Sequence, residues 1–383
     1  MVQSFFVYGL LGLMLFLLGR ISYLREKQSI QLHRKTSFWS WEIFIALFLF
    51  AFVSGVRWNV GVDHLTYLSH YLRIQNGLNP YLDKEIGFEF ITNLFAQSGL
   101  HFSFYFGFFA FLQLFFIYYA FKDHRYLYPF LGIIILFGPE YLNWMNGMRQ
   151  MLSATIFVFS IQFIQNRQFV KYVLTILFAS LFHTSALGLI IFYFIPQRDY
   201  FKSRILTLFL VVFSLILGSM DFWIDSLNQF SQLFNLLGYD WYSENINVLI
   251  ENNQVSNIGP RRLSLMLIPL LIIWFSPKLK VTYQNTFFLT YYNLALFGFL
   301  LYNIVANLNH GLIRPTTYLT IFIIPATAYL LDYLRTNINK MYPIYLITFL
   351  IVLSYLPLSI FADEGKGKAD YSNYKFYWDN YDK

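Results

Sequence analysis

Long apolar stretches recur along almost the whole of this 383-residue chain. Most of them reach the roughly 17–25 residues that a helix needs to cross about 30 Å of hydrocarbon. Charged residues make up only 12% of the sequence, which is too few to cover a water-soluble globule of this size. We therefore predict an all-α, polytopic integral membrane protein with a single transmembrane domain over residues 1–383. The stretches lie at about 3–19, 40–56, 102–121, 126–143, 147–165, 169–196, 204–220, 262–276, 286–305, 312–334 and 342–361.

Lysine and arginine residues collect in six of the connecting segments. These segments hold sixteen of the 27 basic residues and five acidic ones, a net charge of +11, whereas the rest of the chain has a net charge of −4. Because cytoplasmic loops carry the excess of lysine and arginine, we place the six basic segments in the cytoplasm. Loops 57–101 and 221–260 and the tail 362–383 are then extracytoplasmic. Topology and contact with anionic lipid explain the positive charge, so nucleic acid is not an expected partner.

The stretch 169–196 decides whether this topology is consistent. The six basic segments share one side only if this stretch enters the membrane, turns back near His183 and leaves on the side where it entered. A single tilted helix is the alternative, and it would place Arg198 and everything downstream on the opposite side. The charge bias favours a broken or re-entrant pair of helices, within a total of about 11–13 transmembrane helices.

Several kinds of chemistry lack their usual residues. The chain has no cysteine, which excludes disulfides and thiolate chemistry. It contains no GxxxxGK[ST], HExxH or GxGxxG motif, so nucleotide hydrolysis, zinc proteolysis and dinucleotide redox chemistry lack their apparatus. Asp83 and Glu85 form an acidic pair with one residue between them, which by itself is a weak metal-binding signal.

Three arginines at predicted helix ends on the outer side suit an anionic ligand. Arg57 directly follows the second apolar stretch, Arg149 lies in the first turn of a helix, and Arg314 opens a late span. The helix dipole disfavours a cation in a first turn, and ionisable groups this close to hydrocarbon are functional candidates. A guanidinium fork suits a diphosphate. The alternatives are a snorkelling anchor for Arg57 and an intramolecular partner such as Glu140 for Arg149.

Asp63, Glu89 and His183 are the candidates for proton transfer. Asp63 is the first choice because it follows Arg57 by six residues in an outer loop. Glu85 and Glu89 are four apart and so share one helix face, and His183 interrupts a deeply apolar stretch. Helix capping, a solvated first helical turn and a hydrogen-bonded packing residue are the respective structural alternatives.

Aromatic and amide side chains on the outer side are candidate sugar contacts. Tyr67 and Trp144 could stack on sugar rings, and Gln150 lies next to Arg149. Aromatic belts at membrane interfaces produce the same pattern.

Five short blocks, taken in order, resemble those of the EpsG family, which consists of polysaccharide polymerases of the Wzy type. Family members usually carry Arg-x-x-x-Gly-x-Asp-x-x-x-Tyr, and Arg57, Gly61, Asp63 and Tyr67 fill these places. The blocks are GVRWNVGVDHLTY, EIGFEF, NGMRQMLSATIFVFSIQF, ASLFHTSAL and LIRPTTYL.

Two blocks depart from the family pattern. Thr184 is inserted between His183 and Ser185, and Ile86 stands where the family often has proline. Arg149 and Gln150 match the Arg-Gln pair of the family's helix start.

The resemblance implies a GT-C-like fold in the broad sense and a bacterial inner-membrane enzyme that acts at the periplasmic or exterior face. It implies joining of oligosaccharide repeat units carried on undecaprenyl diphosphate, as for O-antigen, capsule or exopolysaccharide, by inverting glycosyl transfer. No metal and no other cofactor is expected. The partners that it implies are the lipid-linked oligosaccharides and the bilayer, with a flippase and a chain-length regulator as further candidates.

Other functions stay open at the level of sequence. A flippase or exporter of the same lipid-linked saccharide also needs arginines and an outward cavity, but it predicts polar residues through the middle of the membrane. An O-antigen-type ligase uses the same donor with a different acceptor. A monosaccharide transferase using a polyprenyl phosphate donor would bind metal at Asp83 and Glu85.

Overall fold

The computed structural model describes residues 1–33, 37–78, 85–195, 197–219, 260–307, 313–365 and 372–380, without the side chain of residue 261. Asp83 and nearly all of the predicted loop 221–260 lie outside the described residues. The chain divides into two compact units. The first unit comprises Met1–Gln197 and Ile324–Lys383, and the second comprises Arg198–Ile323.

Helices make up the first unit. It also contains 3-10 segments at Arg125–Leu127, between α5 and α6, at Thr184–Phe194, after α9, and at Tyr377–Asn380, near the end of the chain. The α-helices are α1 (Val2–Gln31), α2 (Trp41–Gly55), α3 (His64–Gln75), α4 (Ile86–Gln97), α5 (Phe102–Ala120), α6 (Tyr128–Phe137), α7 (Glu140–Asn146), α8 (Met148–Gln165) and α9 (Phe169–Ser180).

The second unit and the C-terminal part of the first contain the remaining helices. The 3-10 turn Arg314–Thr316 precedes α13, and α14 passes from the second unit into the first. These helices are α10 (Arg204–Gly218), α11 (Pro260–Thr282), α12 (Phe288–Val305), α13 (Thr317–Thr320), α14 (Ile323–Thr336) and α15 (Ile338–Asp363).

The prediction of an all-α polytopic membrane protein is confirmed. Among the described residues, six helical segments are long and apolar enough to cross a membrane, and five shorter apolar ones have 10–17 residues. The described residues form no β-strand beyond an isolated bridge between Arg57 and Phe376. The long segments are Val2–Gln31, Phe102–Ala120, Arg262–Thr282, Phe288–Val305, Arg314–Thr336 and Ile338–Asp363.

Two basic side chains of the first unit form ion pairs and hydrogen bonds near the ends of its helices. Arg25 near the end of α1 pairs with Glu42 at the start of α2, at 3.1 Å. Arg125, which follows α5, lies 3.9 Å from Glu26 and donates to the Ser37 carbonyl at 2.6 Å. The charged last turns of α1 therefore have partners within the protein. This explains why α1 continues to Gln31, past the predicted end at residue 19.

The predicted span 126–143 is interrupted, which corrects one predicted boundary. α6 has only ten residues and ends at Phe137, and Pro139 follows. Proline has no N–H to donate to the preceding turn and clashes with it, so the helix ends there. α7 and α8 then begin inside the helical layer.

The predicted broken pair at 169–196 is confirmed. α9 and the 3-10 segment Thr184–Phe194 lie side by side and run in opposite directions, since Tyr172 donates to the Leu189 carbonyl at 2.5 Å and Phe169 packs on Tyr193. Gln165 at the end of α8 donates to Gln197 at 2.9 Å, so the chain leaves this pair at the end where it entered.

One lysine of the second unit, Lys280, is surrounded by protein groups. Lys280 in α11 donates to both carboxylate oxygens of Asp199 at 2.9 Å and to the Phe201 carbonyl at 2.8 Å. Its ammonium also lies 4.5 Å from the ring centre of Tyr292 in α12. The charge of a lysine near the end of an apolar helix is thereby neutralised and solvated by protein groups.

The absence of cysteine allows a direct test of the broken pair. We expect single cysteines at Asn166 and Arg198 to behave alike with a membrane-impermeant maleimide in intact cells, because the chain enters and leaves the pair at one end. A cysteine at Ser98, at the far end of α4, should react with the maleimide, whereas the cysteines at residues 166 and 198 should not. Opposite labelling of residues 166 and 198 would mean that 169–196 crosses the membrane once.

Candidate functional site

A buried carboxylate lies between a cation and an imidazole in the first unit. Glu85 Oε2 lies 2.7 Å from Arg149 Nη1, and Glu85 Oε1 contacts His183 Nδ1. The Glu85 side chain is 7% exposed, whereas those of Arg149 and His183 are 29% and 28% exposed. The carboxylate is therefore inside, and the two groups that it holds can be reached from outside the protein.

The cluster lies well below the end of the first unit at which α5 begins. Gln113 of α5 donates to the carbonyls of Trp144 at 3.4 Å and Met148 at 3.2 Å, so the start of α8 is level with the middle of α5. Eleven residues separate Gln113 from the first residue of α5, which at 1.5 Å per residue is about 16 Å. An ionisable cluster at this depth is a functional candidate.

The first turn of α4 brings Glu85 to His183. The N–H groups of Gly87 and Phe88 donate to the Leu181 carbonyl at 2.8 and 3.3 Å. Helix-start amides have no partner within their own helix, so this carbonyl satisfies two of them. A Cβ atom at Gly87 would lie 2.7 Å from Leu181 Cβ, so only glycine allows this approach.

Aromatic rings surround the Arg149 guanidinium. Its central carbon lies 5.2 Å from the ring centre of Phe88 and 6.0 Å from that of Tyr67. Burial raises the pKa of Tyr67, whose side chain is also hydrogen-bonded to Arg149. These contacts and Glu85 hold Arg149 in one orientation.

Arg57 lies in the core next to this cluster. Its side chain donates to the carbonyls of Ser54, Val60 (3.2 Å) and Met145 (3.1 Å), and the residue is 1% exposed. Burial, and then the charge of Arg57, lower the pKa of the neighbouring His64 to about 2, so that imidazole is neutral. The guanidinium is thus solvated by backbone carbonyls and is not opposed by a second cation from His64.

The other two candidates for proton transfer lie close to the cluster but have different partners. Asp63 is the N-cap residue of α3, and its N–H donates to Asn146 Oδ1 at 2.8 Å. Glu89 lies one turn after Glu85 on α4 and contacts His70 Nε2 at 2.8 Å. Neither of these contacts involves Arg149 or His183.

The remaining candidates are placed as follows. Trp144 is 1% exposed and packs edge-on against Phe50 at 6.1 Å, and Gln150 is 9% exposed. Arg314 belongs to the second unit, where it is exposed at the start of the turn Arg314–Thr316. The sequence-predicted residues that the structure brings together are Arg149, His183 and Tyr67.

Sequence reasoning did not place Glu85 in the site. It noted the residue as half of a weak acidic pair and as a neighbour of Glu89 on one helix face. The unfavourable position of Arg149 against the helix dipole indicated an anionic ligand, with Glu140 as the intramolecular alternative. The structure shows an intramolecular partner, which is Glu85 and not Glu140. The EIGFEF block begins at Glu85 and was the signal for this residue, but the block does not indicate that Glu85 pairs with Arg149.

This arrangement can perform general-base chemistry next to an anion. An imidazole whose Nδ1 contacts a carboxylate is held with Nε2 as the proton acceptor. A guanidinium carries five N–H groups, so Arg149 can donate to a bound anion as well as to Glu85 and Tyr67. Base and cation are held by opposite oxygens of one carboxylate and can therefore act on two parts of a ligand at once.

A family model, described as the EpsG family, matches residues 40–376 and so covers Glu85, Arg149 and His183. No curated protein and no solved structure matches the chain.

The close approach at Gly87 predicts an unusual effect of alanine. Glycine to alanine within a helix normally stabilises by about 0.5–1 kcal/mol. We expect Gly87→Ala to destabilise instead, by about 1–3 kcal/mol, because the new methyl group overlaps Leu181. The matched control is Gly9→Ala in α1, where a Cβ would meet nothing within 4 Å. Thermal unfolding of the two purified variants in detergent measures the change in stability. Equal unfolding midpoints for Gly87→Ala and Gly9→Ala would contradict the docking of α4 on Leu181.

Proposed function

Since this chain belongs to the EpsG family, we propose that it joins undecaprenyl-diphosphate-linked oligosaccharide repeat units at the outer face of the bacterial inner membrane. Family membership supports a polysaccharide polymerase-type role in general and a multi-pass membrane protein. The observation that carries the specific proposal is the Glu85 carboxylate, which holds Arg149 and His183 side by side.

The reaction that we assign to this cluster is an inverting displacement. A sugar hydroxyl of the incoming unit attacks the anomeric carbon of the growing chain and forms the new glycosidic bond. The bond from that carbon to the diphosphate breaks, and its electron pair leaves with the diphosphate. The proton of the attacking hydroxyl passes to Nε2 of His183.

Arg149 has the role of binding the departing diphosphate. Negative charge grows on the leaving oxygen as the bond breaks, and a fixed guanidinium donor stabilises that charge most strongly where water is partly excluded. The surrounding Phe88 and Tyr67 rings reduce access of water and limit the orientations of the side chain. Such stabilisation does not require a metal ion, so we propose a metal-independent reaction.

His183 is our choice of base over Asp63 and Glu89. An inverting displacement requires the base and the leaving group on opposite faces of the sugar. Glu85 contacts His183 with one carboxylate oxygen and Arg149 with the other, so His183 is the candidate base that shares a support with the proposed diphosphate-binding group. Tyr67, Trp144 and Gln150 remain candidates for contacting sugar.

Reconstitution tests the proposed activity. Purified protein in liposomes with lipid-linked repeat units should produce a ladder of longer chains in the presence of EDTA. Arg149→Ala should lower the rate about 10²–10³-fold, as expected for loss of a donor to the developing charge. Arg73→Ala, which removes an arginine of α3 that has no role in the proposed reaction, is the control. Translocation without a ladder would favour a flippase, and transfer only to a different acceptor would favour a ligase.

A second set of variants tests whether the base belongs to the pair His183–Glu85 or to the pair His70–Glu89. We expect His183→Ala to lower the rate about 10²–10⁴-fold, the range for a lost general base, with normal protein levels. Glu85→Gln should also lower it, because a neutral amide no longer orients the imidazole or neutralises Arg149. Glu89→Gln should have a small effect. The reverse order, with Glu89→Gln inactive and His183→Ala active, would move the base to α4.

A further inference from the structure

The segment Ser372–Asn380, here called the C-terminal strap, crosses the outer end of the first unit. It lies more than 300 residues from Arg57 in sequence, yet the two segments pair as an antiparallel bridge. Trp58 N–H donates to the Lys375 carbonyl at 2.8 Å, and Tyr377 N–H donates to the Val56 carbonyl at 3.0 Å. The backbone on both sides of Arg57 is therefore held by the strap.

The strap is itself anchored on α1 and α2. Tyr374 N–H donates to Ser4 Oγ at 2.8 Å, and the Tyr374 hydroxyl donates to the Val53 carbonyl at 2.7 Å. Tyr8 of α1 donates to the Ser372 carbonyl at 3.2 Å and packs edge-on against the Tyr374 ring. Tyr374 is 2% exposed, so this end of the strap is part of the core.

The Arg57 side chain connects the segment held by the strap to the start of α8. Its Nη2 donates to the Met145 carbonyl at 3.1 Å and lies 3.9 Å from Met148 Sδ. The loop after it makes a further contact with the same turn. Asp63 N–H donates to Asn146 Oδ1 at 2.8 Å. Arg149 is the next residue after Met148.

We propose that Arg57 is a positioning residue, and that the C-terminal strap holds it so that Arg149 stays in place to bind the departing diphosphate. This inference rests on the proposed function and changes the role of Arg57 from a ligand of the substrate to a support for the residue that binds it. A donor that is 1% exposed and occupied by three carbonyl oxygens suits a support. An error of about 1 Å in the placement of a catalytic group can cost roughly 10²-fold in rate, so such a support matters.

Two variants and one control test this role. Arg57→Lys keeps the charge but cannot reach three carbonyls at once. Tyr374→Phe removes only the hydroxyl that fastens the strap to α2. Tyr128→Phe is the matched control, because its buried hydroxyl also donates to a carbonyl, that of Tyr118 at 2.6 Å, away from the strap.

Kinetics of the full-length protein provide the first readout. We expect kcat to fall about 100-fold in Arg57→Lys and about 10-fold in Tyr374→Phe, with the KM for the lipid-linked donor changed less than about twofold. Tyr128→Phe should match the wild type in both constants. A raised KM in Arg57→Lys together with wild-type kinetics in Tyr374→Phe would overturn the inference and make Arg57 a direct ligand.

A reporter cysteine provides a second readout that does not depend on activity. Met148→Cys places the chain's single thiol at a site that is 2% exposed in the wild type. We expect it to react about tenfold faster with N-ethylmaleimide when combined with Arg57→Lys or Tyr374→Phe, but not with Tyr128→Phe. Equal reaction rates in all backgrounds would overturn the inference even if the protein proved not to be a polymerase. An inactive wild type with accelerated labelling would instead refute only the proposed function.

Discussion

The pairing of Glu85 with both Arg149 and His183 is the interaction on which the candidate site depends. A carboxylate buried within a helical membrane protein is stable only when charged or hydrogen-bonding partners replace the water that it loses. Arg149 neutralises it and His183 occupies its second oxygen. Removing either partner leaves an incompletely compensated buried group, so the three residues form a unit. The same pairing offsets the unfavourable placement of a cation in the first turn of α8.

Broken helices make this pairing possible. An uninterrupted transmembrane helix places its ends, and therefore its unpaired N–H groups, at the membrane surface. In this chain α6 ends at Phe137, α8 starts level with the middle of α5, and α9 turns at Leu181. Helix starts and turns thus lie inside the layer, where surrounding protein satisfies them, as in the contact between α4 and the Leu181 carbonyl. Charged side chains on these short elements can meet at a depth that surface loops do not reach.

Much of the fold could be predicted because hydropathy and charge are properties of short stretches of sequence that can be summed without knowing the tertiary contacts. Hydropathy located the helices to within a few residues in most cases, and the distribution of lysine and arginine predicted the return of the chain between Arg167 and Arg198. The interruption at Pro139 was missed, because the apolar stretch continues past it. Site prediction was less complete. Arg149 and His183 were singled out from their unfavourable positions, whereas Glu85 was read only as one of several acidic residues near a helix start.

The amino-acid sequence was sufficient to identify the class of protein, the positions of most membrane helices, the side of the membrane that the basic loops favour, and the family. Each of these depends on composition within a window or on short motifs in order. Three-dimensional packing was needed to show that Glu85 joins Arg149 to His183, and that Arg57 contacts Met145 while the strap pairs with its backbone. Those contacts join segments dozens to hundreds of residues apart. They depend on which helix ends pack together, which no local pattern of residues specifies.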